Sequence, residues 1–119
     1  MKLKDLIGYK LVKANKKQLI VEKDNNRYVL LINDDYGDCC GYNTIKTHFD
    51  LKVNPVITNV VVTKNDTGEE EEGRVVFFGP EKTLGIIETS SSSGSGWCYG
   101  ACVSISCRKL KLQETISKW

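Results

Sequence analysis

Long apolar runs are missing from this sequence. Nowhere do about eighteen apolar residues follow one another, which excludes a membrane-spanning helix. Histidine is almost absent. His48 is the single imidazole, which leaves little material for histidine-based catalysis or histidine-rich metal binding. Arginine is scarce as well: of 17 basic residues only Arg27, Arg74 and Arg108 offer a planar fork for phosphate or carboxylate. The formal net charge is +2, from 17 basic and 15 acidic residues. That balance disfavours a duplex-DNA binder, which needs clustered basic charge, and a strongly acidic nucleic-acid mimic. Neither a GxGxxG turn after a strand nor a P-loop occurs, so a standard nucleotide-binding fold is excluded. The βαβ rhythm of a doubly wound parallel sheet is missing too.

What the sequence does contain is β-pattern and cysteine. At 119 residues, 40% apolar and 27% charged, the chain reads as one domain (1–119) with a modest core. The opening segment Met1 to Gly8 is too short and charged for a signal peptide, so the expected location is a reducing cytoplasm. There the five cysteines are expected as thiols rather than as a disulfide framework.

One helical turn is expected in the first eight residues, with Leu6 and Ile7 on its buried side. Strands follow around Tyr9–Val12 and Leu19–Val21, with Asp24-Asn25-Asn26 as a turn. Tyr28 to Ile32 is apolar at every position and predicts a central strand covered on both faces. Asn33 to Asp38 reads as a turn-rich acidic connection. The apolar spacing Cys40, Ile45, Phe49 predicts a short helix near residues 39–49. Pro55 precedes a β-branched strand over Val56–Thr63. The Asn65–Gly73 stretch, with its four consecutive glutamates from Glu69, reads as a solvated loop. Further strands are expected at Arg74–Phe78, Thr83–Thr89 and Ala101–Cys107. A serine-rich connection runs from Ser90 to Gly96, and a polar tail ends the chain. The predicted fold is mainly β: an antiparallel sandwich or partly closed barrel of about seven strands.

Two segments concentrate unusual chemistry: Asp38-Cys39-Cys40-Gly41-Tyr42 and Gly94-Ser95-Gly96-Trp97-Cys98-Tyr99-Gly100. Structural zinc uses ligand pairs with two to four residues between their members. Cys98 and Cys102 have that spacing, but the adjacent Cys39 and Cys40 do not. Cys102 and Cys107 are separated by an odd number and fall on opposite faces of a regular strand. No metal site and no cofactor are therefore expected, although a zinc-stabilised domain stays as an alternative. Cysteine catalysis would require His48 beside a thiol, and Asp34, Asp35 and Asp38 read as turn chemistry. No catalytic residue is assigned. The binding candidates are Trp97, Tyr99 and Tyr42, which offer aromatic contact area, with Arg74 and Arg108 supplying charge. Strand edges offer a second route to partners, including self-association into a homo-oligomer.

The segments Leu6-Ile7-Gly8, Asp38-Cys39-Cys40 and the strand–loop–strand unit Thr83 to Ser106 occur in an order that resembles a family of small phage-encoded proteins of unknown function. Such a resemblance implies a phage setting and a non-enzymatic, anti-CRISPR-like role, in which the protein inhibits a bacterial defence system by contacting a host protein. The alternative is an oligomer that sequesters a small nucleotide. No membrane partner is expected on either reading.

Overall fold

The computed structural model describes residues 1–36, 42–52, 55–68, 70–92 and 101–119. Nine antiparallel strands are found among them: β1 (Lys10–Ala14), β2 (Gln18–Lys23), β3 (Asn26–Tyr36), β4 (Tyr42–Phe49), β5 (Asn59–Asp66), β6 (Glu71–Phe78), β7 (Thr83–Ser92), β8 (Ala101–Cys107) and β9 (Leu112–Lys118). They form two sheets. Sheet A has the order β1-β2-β3-β8-β9 and sheet B the order β4-β7-β6-β5. The architecture is thus the expected antiparallel sandwich, and the two sheets do not close into a barrel.

Local chemistry sets the hairpins. Asp24 and Asn25 both adopt positive φ (53° and 65°), the conformation of a two-residue turn whose twist matches the strands it joins. The β5–β6 turn places Gly68 at φ 89°, and Asp66 Oδ1 accepts from the Gly68 N–H at 2.8 Å. A 3₁₀ turn at Leu3–Leu6 closes one end of the core, with the Lys2 N–H donating to Asp5 Oδ2 at 2.7 Å. Its buried residues are Leu3 and Leu6, whereas Ile7 is exposed, contrary to the expected Leu6–Ile7 pair.

Between the sheets lie Leu11, Leu19, Val21 and Leu30 of sheet A, facing Val60, Val75, Phe77 and Ile87 of sheet B. All are fully buried. Each contributes about 1.5–3 kcal/mol of transfer free energy against an exposed position. Two glycines allow close packing. A Cβ on Gly85 would lie 2.0 Å from the Phe49 ring, which spans the gap toward Phe77 with ring centroids 6.2 Å apart. A Cβ on Gly73 would lie 2.1 Å from the Ile116 carbonyl oxygen, so glycine there lets β9 approach sheet B.

Several sequence expectations are corrected. The helix near residues 39–49 is replaced, over its described part, by strand β4, whose strict exposed–half-buried alternation has a period of two. The Cys40, Ile45, Phe49 spacing misled because Ile45, Thr47 and Phe49 also fit one face of a strand. The Asn33–Asp38 connection is strand through Tyr36, and β5 runs over Asn59–Asp66 rather than Val56–Thr63. Val56 instead bridges to Lys10 at the edge of β1. The glutamate-rich loop is a hairpin with β6 starting at Glu71, the serine connection is strand through Ser92, and the polar tail contains β9. In each case backbone pairing overrode polar composition. Finally, β3 is central in its sheet but covered on one face only, leaving Val29 and Leu31 exposed.

Candidate functional site

The two unusual segments start from neighbouring points. Tyr36 pairs with Ala101, and Tyr42 pairs with Ser92, so both crossings between the sheets are rooted at the same end of the sandwich. Asp38, Cys39, Cys40, Gly41, Trp97, Cys98 and Tyr99 themselves lie outside the described residues.

Beneath those roots the space between the sheets turns polar. The Thr89 hydroxyl donates to Ser117 Oγ at 2.8 Å, and Ser91 Oγ lies 2.7 Å from Ser117 Oγ. Ser91 donates to Asn43 Oδ1 at 2.6 Å. Because the Ser91 hydrogen is used there, Ser117 must donate to Ser91. The order is therefore Thr89 to Ser117 to Ser91 to Asn43. Asn43 Nδ2 completes the chain on sheet A, reaching Asp34 Oδ1 at 2.7 Å and the carbonyls of Asp35 and Cys102 at 2.9 and 3.1 Å. One amide thus ties an edge strand of sheet B to two strands of sheet A. Every buried side-chain polar atom among the described residues has a partner.

The outer face of sheet B carries the second polar feature. Register places Thr44, Ser90, Glu72 and Asn65 in one cross-strand row, and Lys46, Glu88, Arg74 and Thr63 in the next. Thr44 and Ser90 hydrogen-bond through their hydroxyls. These rows line an open groove of about 510 Å³ that also takes in Lys64 and Glu70. Its cations Lys46, Lys64 and Arg74 are matched in number by Glu70, Glu72 and Glu88. Opposite charges alternate across strands, which is favourable. Yet the only ion pairs within 4.0 Å among the described residues are Arg27–Glu22 and Lys82–Asp50, neither of them in the groove. The row beyond the charges is apolar: Ile86, Val76 and Val61 lie beside His48.

Of the predicted binding residues, Tyr42 and Arg74 share this face. Tyr42 is exposed one row nearer the strand ends than Thr44, and Arg74 sits in the charged row. Arg108 is exposed in the β8–β9 turn, at the far end of sheet A, and does not join them. Lys46, Glu72 and Glu88 were missed by sequence reading. The period-two alternation of Tyr42 to Phe49 was the signal that could have found Lys46.

The described cysteines do not assemble with histidine. Cys102 is on the outer face of sheet A, Cys107 points into the core, and His48 is on the outer face of sheet B. No group of three His, Cys, Asp or Glu side chains suited to a metal occurs among the described residues. Two titratable groups outside the groove are displaced from their usual ranges. The Lys82 hydrogen bond, aided by the Lys52 N–H, holds the Asp50 carboxyl below the ordinary carboxylate value. Burial pushes the Tyr9 phenol up. Comparison with protein-family models, curated proteins and solved structures finds no match to this chain.

Proposed function

We propose that this chain is a non-catalytic binding module that engages a partner protein through the outer face of sheet B. The observation that carries the reading is the groove with three cations and three anions, none of them in an ion pair within 4.0 Å among the described residues. Charges so placed beside an apolar row and an exposed tyrosine suit a partner whose own charges alternate. Such complementarity sets specificity and encounter rate. In the setting that the sequence resemblance implies, the partner is a host defence protein. Trp97 and Tyr99 lie outside the described residues and stay binding candidates on the sequence alone. A nucleotide ligand is less well served, because Glu70, Glu72 and Glu88 offset the cations one for one and would repel a polyanion.

The test is affinity capture from bacterial lysate with the wild type and two charge variants. A specific partner should be retained by Arg27→Glu, on the other sheet, and lost with Arg74→Glu. Equal retention by both variants would overturn the assignment of the surface. A rise of several degrees in Tm with one nucleotide from a panel would favour the sequestration reading instead.

A further inference from the structure

A strand that is apolar on both faces needs cover on both faces, and this fold supplies cover to only one side of β3. On the outer side Val29 and Leu31 are 46% and 50% exposed. Ile20, which pairs with Val29, extends the strip onto β2, and half-buried Val12 adjoins it at the β1 bulge. This strip is remote from the groove, on the opposite outer face of the sandwich.

On the same face stand the basic Lys10, Lys13 and Arg27, with Glu22 paired to Arg27 and Asp35 two rows beyond Leu31. Lys10 and Lys13 stand on the same face of β1, opposite Glu22 and Ile20, and Lys16 and Lys17 occupy the adjoining turn. All four lysines are exposed.

We infer that the outer face of β1–β3 is a second docking surface, and that it takes an amphipathic helix with acidic flanks from a partner protein. Size fits that occupant. Three strands span about 10 Å, close to the width of one helix, and Leu31 lies about 7 Å along the strand from the Ile20–Val29 pair, near the spacing of successive helical turns. Charge fits it as well, since lysines on the rim would meet carboxylates beside the apolar stripe. Relief argues against a flat lipid surface. The four-carbon stem of lysine outreaches Val29 and Leu31, so the ammonium groups meet headgroups before the apolar floor reaches acyl chains. A second copy docking through the same face would set lysines against lysines.

The experiment titrates the isotope-labelled protein with a synthetic amphipathic peptide carrying leucine on one helical face and glutamate on the other. A counterpart with lysine in place of glutamate is the control. The glutamate peptide should shift the Ile20, Val29 and Leu31 resonances and bind at least ten-fold more tightly than the lysine peptide. Leu31→Lys, at a half-exposed site that should leave Tm unchanged, should weaken it ten-fold or more. Arg74→Glu, on the other sheet, should leave it unchanged. Equal binding of both peptides, or shifts confined to sheet B, would overturn the inference. So would phosphatidylserine vesicles moving the strip resonances when the glutamate peptide does not, or dimerisation of the protein alone through this strip.

Discussion

Replacing Asn43 by alanine removes the side chain that ties β4 of sheet B to β3 and β8 of sheet A, and leaves Ser117 of β9 as the hydroxyl chain's contact with sheet A. The Ser91 hydroxyl, fully buried, loses the acceptor at 2.6 Å. The Cys102 and Asp35 carbonyls lose a donor, while the exposed Asp34 carboxylate turns to water. A buried polar group left without a partner costs about 1–3 kcal/mol. With Ser91 as the main casualty and partial losses at the carbonyls, the expected destabilisation is about 2–4 kcal/mol. For 119 residues the unfolding entropy near the midpoint is about 0.25 kcal/mol/K, so Tm should fall by about 8–16 °C. Urea unfolding gives the free energy and calorimetry the Tm. A double-mutant cycle with Ser91→Ala should show coupling above about 1 kcal/mol, because the two groups share one hydrogen bond. A loss under about 0.5 kcal/mol with no coupling would refute the inter-sheet role of Asn43.

Glycine substitutions should separate steric from conformational cost. Gly73→Ala places a Cβ 2.1 Å from the Ile116 carbonyl and should destabilise by more than about 3 kcal/mol. Gly68→Ala, with open space but φ 89°, should cost only about 1 kcal/mol; both are read by urea midpoint. Asp50 carries a depressed pKa, so its ion pair supports the fold above the ordinary carboxylate pKa and is lost as pH falls through the lower folded value. Lys82→Ala should move the Asp50 titration midpoint, followed by NMR, upward toward the ordinary range. Tyr9 has a raised pKa, so stability should decline as pH rises above the ordinary phenol value. Tyr9→Phe should remove that contribution from the alkaline limb of the stability curve.

The sandwich was legible because strands such as Leu19–Val21 and Arg74–Phe78 combine β-branched or aromatic residues with turn residues at their ends. Asp24-Asn25 named its own hairpin, and the odd spacing of Cys102 and Cys107 correctly put them on opposite faces. What failed was polar β-structure. Ser90, Ser91 and Ser92 have the composition of a loop, yet Ser91 and Ser92 are buried, and Ser91 hydrogen-bonds to partners distant in sequence. Composition registers hydroxyls as solvent-seeking and does not register their partners. Of the groove only Arg74 was legible, with Tyr42 on the same face beside it, because a cross-strand row such as Lys46, Glu88 and Arg74 depends on register, which no local pattern encodes. The uncovered face of β3 was hidden for a related reason: an all-apolar strand announces a need for cover and does not say whether the chain itself provides it.

Binding through the outer face of sheet B is decided by resonance mapping with a captured partner. The largest shifts should fall on Tyr42, Lys46, Arg74 and Glu88, and reversing Arg74 to glutamate should abolish them without changing Tm. A partner whose shifts lie elsewhere and survive Arg74→Glu would contradict it.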